Sequence, residues 1–374
     1  MQDGRHLDGK WMRTALSLAS RGIGCTRPNP PVGALIVKGT RAVGAGYHRR
    51  AGGDHAEIGA LKTARGKARG ATLYVTLEPC CTHGRTPPCT DAIIRSGIRR
   101  VVVAIRDPNP AHKGRGLRIL RRAGIKVTTG VCEEQARILI APFAKWITTG
   151  MPFLTLKLAV SLDGKIADAR RQSRWITSAR ARSAVNCLRQ RVDAVLVGSG
   201  TVEADNPSLL PLGRRSTPLF RIVADSAGRL SPRVRLLNDG HAGQTIIATT
   251  RCCSSGRERR LSLKGATVWR LPARSGRVSP RHLLERAGSA GILHVLCEGG
   301  GELAGSLIGE GLVDEFLFFI APRIIGGRHS VDSVGGHGWN LESCPHLKFM
   351  EVRKVGVDLL VRAAPAGSHR IIER

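Results

Sequence analysis

His55-Ala56-Glu57 and, across a short helix and a strand, Glu78-Pro79-Cys80-Cys81-Thr82-His83-Gly84-Arg85-Thr86-Pro87-Pro88-Cys89 decide how the first half of this chain reads. One histidine, two cysteines and a carboxylate left over from coordination meet the needs of a catalytic zinc site. Three protein ligands hold the metal and leave a fourth position for water. Zinc brings that water's pKa to about 7, so hydroxide is available at neutral pH. The expected ligands are His55, Cys80 and Cys89, with Glu57 carrying a proton from the water to a leaving group. Cys81 competes with Cys80 for the second position, and Cys80 is preferred because it directly follows Pro79.

The competing reading is a buried histidine among inert core thiols. Local patterning opposes it. Gly53-Asp54 precede His55, and the spacing of Ile58 and Leu61 starts a helix near His55. Pro88 suits a first helical turn, followed by Cys89 and by Ile93 and Ile94. Ligands at two helix N-termini sit near positive dipole ends, which favours thiolate over thiol. His-x-Glu followed by Pro-Cys-x-x-Cys is the pattern of zinc nucleobase deaminases. Here Cys89 lies nine positions after Cys80, so the logic fits but the commonest spacing does not.

A chain of 374 residues, 42% of them hydrophobic, is comfortable for two domains. It has no run of 18 apolar residues and no apolar N-terminal core, so neither a membrane helix nor a signal peptide is expected. Ten cysteines without a leader argue for a reducing compartment, and the expected location is cytoplasmic. The vicinal Cys252-Cys253 has no assignable role. A net charge of +31 raises nucleic-acid binding. Against that, the basic residues are spread over the whole chain and aromatics are only 4%, which leaves few stacking platforms. No nucleic-acid partner and no membrane partner are expected. A small anionic substrate suits the charge, and homo-oligomerisation is left open.

In chain order, a helix is expected over residues 7–19, a strand over 34–37, and a second, antiparallel strand punctuated by Gly39 and Gly44 to Gly46. Strands over 71–77 and 99–105 flank the Cys89 helix, and the loop Asp107-Pro108-Asn109-Pro110 follows. A helix over 117–122, a strand over 125–128 and a helix over 133–146 close a three-layer α/β domain. Its site lies beyond the strand ends. The expected domains are residues 1–148 and 149–364, with 365–374 a disordered tail. In the second, strands are expected over 153–159, 194–198, 221–224, 245–248 and 294–297, and a helix over 178–191. The last long strand is placed at 314–321. Residues 238–243 and 252–265 read as polar loops. Glu298-Gly299-Gly300-Gly301 reads as a glycine turn into a helix, a place for a phosphate, although a plain tight turn explains it as well.

Taken together these residues resemble the bifunctional deaminase/reductase family of riboflavin biosynthesis. The first half carries the resemblance through Asn29-Pro30-Pro31-Val32-Gly33, Asp54-His55-Ala56-Glu57, Gly84-Arg85-Thr86-Pro87-Pro88-Cys89 and Asp107-Pro108-Asn109-Pro110. The second half does so through Leu156-Lys157-Leu158-Ala159, Ser161-Leu162-Asp163-Gly164, Ser173-Arg174-Trp175-Ile176-Thr177, Val197-Gly198-Ser199-Gly200-Thr201, Ala204-Asp205-Asn206-Pro207 and Glu298-Gly299-Gly300.

The resemblance implies a cytidine-deaminase-like domain followed by a dihydrofolate-reductase-like α/β domain. The first would deaminate 2,5-diamino-6-ribosylamino-4(3H)-pyrimidinone 5′-phosphate with Zn2+. The second would reduce the ribosyl group to ribityl with NADPH, giving 5-amino-6-(5-phosphoribitylamino)uracil. It implies NADPH contacts at Ala159, Trp175, Thr201, Asp205, Ser226, Gly300, Gly301, Glu302, Leu303, Ala304, Gly305 and Ser306. Substrate contacts are implied at Asn29 and Arg85 in the first half, and at Ser173, Arg189, Leu209 and Glu298 in the second. Lys157 and Glu298 are the polar groups expected beside the reacting sugar; without the resemblance, Lys157 also reads as a strand lysine reaching to solvent.

The chain departs from the family's pattern at three places. Thr82 stands where a histidine is common, with His83 one step later. Leu212 stands where a phosphate-binding arginine is common, leaving Arg214 or Arg215 to take that role. Ala169-Arg170-Arg171-Gln172 lacks the usual glycine. The loss of the arginine at Leu212 keeps one alternative in view, a deaminase with a degenerate, non-catalytic second domain, and the net charge of +31 keeps another, an RNA-directed deaminase or RNA-binding protein.

Overall fold

Residues 2–83, 87–213 and 215–367 are described by the structure, a computed structural model. The chain divides into two compact units, residues 1–150 and 151–374.

The first unit runs α1 (Gln2–Ser20), β1 (Gly33–Lys38), β2 (Arg41–Tyr47), α2 (Ala56–Ala64), β3 (Thr72–Leu77), α3 (Cys89–Arg95), β4 (Arg100–Ile105), α4 (Arg115–Arg122), β5 (Lys126–Thr129) and α5 (Glu133–Thr149). Its sheet has the order β2-β1-β3-β4-β5, with β3, β4 and β5 parallel. The runs Thr72-Leu73-Tyr74-Val75-Thr76-Leu77 and Val101-Val102-Val103-Ala104-Ile105 are β-branched, aromatic and almost wholly buried, as strands covered on both faces must be. Ala34, Ile36, Leu73, Val75, Val101 and Val103 pack one face of the sheet against Ala56, Ala60 and Ala64 of α2 and Leu117 and Leu120 of α4.

Helix α2 lies almost in contact with the backbone of β2. A Cβ at Gly46 would sit 2.4 Å from Ala56 O and 2.5 Å from Ala60 N, and one at Gly44 would sit 2.3 Å from Ala60 O. This closeness fixes the height of α2, whose N-cap is His55 and whose first turn holds Glu57. Gly46→Ala is therefore expected to destabilise the first unit by about 1–3 kcal/mol, because backbone and not a movable side chain is in the way. Denaturant unfolding checks this, and bound metal per chain should fall with it.

The second unit opens with β6 (Phe153–Ser161), β7 (Lys165–Ala167), α6 (Ala179–Arg189), β8 (Ala194–Gly198), α7 (Ser199–Asp205), β9 (Phe220–Ala224) and β10 (Thr245–Thr249). It continues with α8 (Ser255–Leu263), β11 (Thr267–Arg270), β12 (Ala273–Arg274), β13 (Arg277–Val278), α9 (Pro280–Ser289), β14 (His294–Cys297) and α10 (Gly301–Gly309). Last come β15 (Glu315–Ala321), β16 (Val331–Asp332), β17 (Leu347–Val355) and β18 (Asp358–Pro365). The main sheet has the order β11-β10-β9-β8-β14-β6-β15-β18-β17. It is parallel from β11 to β15, and the β17–β18 hairpin adds on antiparallel. Alternate residues feed two cores. Leu154, Leu156, Leu196 and Val295 pack with α9 and α10, while Val195, Val197, Val223 and Ile247 pack with Val202 of α7 and Leu261 of α8.

Three expectations for this unit need correction, and some elements had none. The stretch 252–265 is not a loop, because it holds α8; only Leu261 of that helix is buried, so no apolar period marks it. The strand at 314–321 is not the last, because β17 and β18 follow it. Residues 365–367 are described as the end of β18 and a turn, and the rest of the expected tail lies outside the described residues. Finally, α9 and β11 were not anticipated at all. Among the described residues no helix is long and apolar enough to cross a membrane.

Candidate active sites

In the first unit, β3 ends at Leu77 and delivers Glu78-Pro79-Cys80, while α3 starts at Cys89 and α2 starts after His55. Three chain segments thus converge. His55 Nδ1 lies 3.4 Å from Cys80 Sγ and 3.3 Å from Cys89 Sγ. All three ligand atoms fall within 4.8 Å of one another, and no other such group of metal-ligating side chains occurs among the described residues. One imidazole nitrogen and two sulfurs, with no fourth side chain closing the set, suit a tetrahedral zinc ion with one open position. The Cys89 backbone N–H, in the first turn of α3, points at Cys80 Sγ at 3.4 Å. The side-chain hydrogen bond from Cys89, with help from His55, pushes the Cys80 thiol down to about 4. Cys80, and not Cys81, faces His55.

Glu57 is 4% exposed, and burial pushes its carboxyl up to about 7. A carboxyl that exchanges its proton near neutral pH, two residues after His55 in the first turn of α2, is placed for general acid–base work. Asn29, expected at the substrate, donates from Nδ2 to His48 Nε2 at 3.0 Å, and His48 Nδ1 donates to Asp54 O at 2.9 Å. The His48 ring stands edge-on to His55 with centroids 5.3 Å apart, and burial lowers its pKa. By accepting from the Asn29 amide, His48 fixes the orientation of that side chain. Sequence reasoning missed His48, since a lone histidine before a Gly-rich turn carries no pattern.

It also missed Glu78. Its Oε2 accepts from the N–H groups of Asp107 at 3.2 Å and Gly114 at 2.9 Å, and its Oε1 from Gly116 at 2.9 Å. The residue before Pro79-Cys80 thereby ties the 107–116 loop to the metal centre. Arg85, expected at the substrate, lies outside the described residues. His83 is exposed, and Thr82 is hydrogen-bonded to His112 at 2.9 Å.

In the second unit, a cleft of about 1090 Å³ opens at the C-terminal ends of β6, β8, β9 and β14, where open parallel sheets place ligands. Lys157, Arg189 and Glu298 line it. Arg189 grips Glu298 with two bonds of 2.6 and 2.9 Å, and Lys157 Nζ stands 3.7 Å from the same carboxylate. Burial drives the Lys157 pKa down against the pull of Glu298. Burial opposes ionisation of Glu298, but Arg189 and Lys157 outweigh it and hold the carboxyl below its ordinary value.

Ala159, Trp175, Thr201, Asp205, Ser226, Gly300, Gly301, Glu302, Leu303 and Ser306 line the cleft, as does Ser173. Thr201 Oγ1 accepts from Gly300 N–H at 3.0 Å, and Ser173 donates to Asp205 at 2.5 Å. Gly299, at φ 98°, turns the chain into the N-terminus of α10. A Cβ at Gly301 would fall 2.5 Å from Asp332 O, so the chain there has room only for glycine. Bare backbone N–H groups at a helix N-terminus fit the phosphates of a dinucleotide. Trp175 is 59% exposed with Arg182 stacked 4.3 Å from its ring centre, an open apolar plate at the cleft.

Three expected contacts are not brought to this cleft. Ala304 is fully buried in the core, and Gly305 packs on the backbone of Gly335, because they lie on the inner face of α10. The Leu209 side chain, 2% exposed, belongs to the core and not to the cleft. Leu212 is 80% exposed. Arg215 is held by the carbonyls of Arg189, Val192 and Thr217, so it does not replace a phosphate-binding arginine at Leu212. Arg214 lies outside the described residues. Arginines that the sequence did not single out, Arg171, Arg174, Arg229 and Arg235, line the cleft instead.

Hydrolytic deamination in one unit and nucleotide-dependent reduction in the other is the class of enzyme that these two sites define. A family model described as the cytidine and deoxycytidylate deaminase zinc-binding region matches residues 5–105, and one described as the RibD C-terminal domain matches residues 152–361. The chain belongs to the RibD family of bifunctional deaminase/reductases in riboflavin biosynthesis, which use zinc and NADPH. It is 42% identical over 361 residues to the riboflavin biosynthesis protein RibD of Aquifex aeolicus, covering 96% of this chain and 98% of the relative. The Escherichia coli protein of the same name is 41% identical, with 96% and 100% covered. Among solved structures, Acinetobacter baumannii RibD matches with a TM-score of 0.86 at 34% identity, covering 97% of this chain and 100% of that one. The Thermotoga maritima diaminohydroxyphosphoribosylaminopyrimidine deaminase/5-amino-6-(5-phosphoribosylamino)uracil reductase matches with a TM-score of 0.86 at 36% identity, with the same coverage.

Proposed function

We propose that this chain performs two successive steps on one phosphorylated pyrimidine. The first unit removes the amino group at ring position 2 of 2,5-diamino-6-ribosylamino-4(3H)-pyrimidinone 5′-phosphate, and the second reduces the ribosyl group to ribityl. The observation that carries the first step is the convergence of His55, Cys80 and Cys89 beside buried Glu57. When bound, zinc supplies Lewis-acid activation of a water at neutral pH. Glu57 accepts the proton from that water and returns it to the departing amine. Asn29, oriented by His48, binds the pyrimidine.

In the second unit NADPH, when bound, supplies the hydride. Lys157 sits against Glu298 and handles the proton at the sugar as its ring opens. The glycine turn before α10 and the exposed face of Trp175 hold the cofactor. The intact cluster of Lys157, Glu298 and Arg189 favours an active reductase over a degenerate domain. Arginines lining the cleft give the basic chain a use for its charge on small anions, without a nucleic-acid partner.

Zinc removal tests the first step. Stripping the metal with a chelator is expected to abolish ammonia release, and added zinc to restore it. NADPH oxidation on already deaminated substrate should continue throughout. Ammonia release that survives in metal-free protein would sink the reading.

Strand β17 supports self-association. It is the edge of a nine-stranded sheet, with Phe349 71% and Val352 55% exposed. An edge strand that leaves Phe349, Met350 and Val352 on the surface invites pairing with another copy. Phe349→Lys is expected to shift the chain toward monomer in sedimentation, while a wild-type monomer would end the idea.

A further inference from the structure

The β12–β13 hairpin has no part in the chemistry above, yet it faces the reductase cleft. It pairs Ala273 with Val278 and Arg274 with Arg277, and it turns through Ser275 at φ 47° and Gly276 at φ 74°. Two left-handed residues make the tight turn that suits the twist of a two-stranded ribbon. Gly276, Arg277 and Val278 line the cleft. Val278 holds the ribbon in place: its side chain is buried in the core with residues of α9 and α10, and its N–H donates to Ser226 Oγ at 2.9 Å.

Two arginines tie this ribbon to α10. Arg274 reaches Glu310, the C-cap, at 3.1 Å, and Arg277 Nη1 donates to Glu302 Oε2 in the first turn at 2.8 Å. Residues 302 and 310 lie about 12 Å apart along a helix. The paired arginines thus spread toward opposite ends of α10. Arg277 takes the end already assigned to the phosphates of a dinucleotide.

The Arg277–Glu302 pair is open to water, with side chains 59% and 61% exposed. An exposed ion pair of this kind holds weakly. A guanidinium grips a phosphate through two parallel bonds, and the phosphate is the stronger acceptor. Glu302 also sets a negative charge where a dinucleotide brings its own. The carboxylate is therefore a competitor for Arg277 and not an aid to the cofactor.

We infer that Arg277 binds the diphosphate of the nicotinamide cofactor, and that Glu302 is the carboxylate it leaves to do so. The ribbon, anchored by Val278, stays where it is, and the guanidinium alone swings. The inference rests on the reductase reading of this unit.

The test uses the full zinc-loaded chain. It reads dissociation constants for NADPH and NADH by nicotinamide fluorescence, with NADPH oxidation on deaminated substrate and thermal unfolding alongside. Arg277→Gln is expected to raise the NADPH dissociation constant about five- to ten-fold, with kcat at saturating NADPH within about two-fold. Arg277→Lys should recover part of the loss, since it keeps the charge without the fork. Glu302→Gln is expected to lower the constant about two-fold or more, because the competitor is gone. A bond that only held the fold together would weaken binding when cut from either side; here the two ends act with opposite signs. Both side chains are exposed, so thermal unfolding should barely shift. NADH carries the same diphosphate and should respond by the same factors. Weaker binding in both variants, no change in Arg277→Gln, or an effect confined to NADPH would overturn the inference, the last by giving the arginine to the 2′-phosphate instead. A wild-type chain that binds NADPH yet oxidises none would remove the reductase reading, and the dissociation constants would still judge Arg277.

Discussion

Glu57→Gln is expected to lower ammonia release by about 10³-fold, the upper-middle of what a positioned acid–base group contributes. The amide keeps the volume of the carboxylate and fills the same buried space, so α2 and the His55 ligand stay where they are. What is lost is the ability to take a proton from water and give it to the leaving amine. Glutamine also removes a buried group that burial already disfavours in its charged form. Stability should therefore not fall. Zinc per chain should be unchanged, and NADPH oxidation on deaminated substrate should proceed at the wild-type rate. A drop of less than ten-fold with full zinc would show that Glu57 is not the proton carrier.

Lys157→Met is expected to slow the reduction by about 10²-fold or more while deamination continues unaltered. Methionine matches much of the lysine stem and carries no proton. The fold should tolerate it, because Glu298 keeps its two-bonded partner Arg189. Glu298→Gln makes the contrasting case. It leaves Arg189 and Lys157 buried without their common counter-charge, a loss of about 3–5 kcal/mol for a buried pair broken on one side. Comparing the two separates chemistry from stability: nicotinamide absorbance reads the first, thermal unfolding the second. Lys157→Met at full reductase speed would leave the proton to another group.

The metal centre was legible because its parts lie within 35 residues in a pattern that the chemistry demands. Its supports were not. His48, Glu78 and His112 act through hydrogen bonds across loops, and no spacing announces a lone histidine or glutamate. The reductase cleft was legible only through resemblance. A run such as 300–306 cannot all face one ligand, since the helical period turns Ala304 and Gly305 inward while Gly301, Glu302, Leu303 and Ser306 line the cleft. Helix α8 escaped notice for want of an apolar stripe, having one buried residue in nine. Strand β17 escaped for the opposite reason: its apolar side chains face outward, with only Val355 buried.

Each unit has its own complete sheet, and no strand passes from one to the other among the described residues. Neither sheet needs a strand from the other unit to form. Should the reductase half soften first in a warmed cell, the deaminase half would go on working and its aminouracil product would pile up unreduced. A rising pool of that compound, with falling flavin, would be the metabolic signature of heat damage confined to one half of the chain.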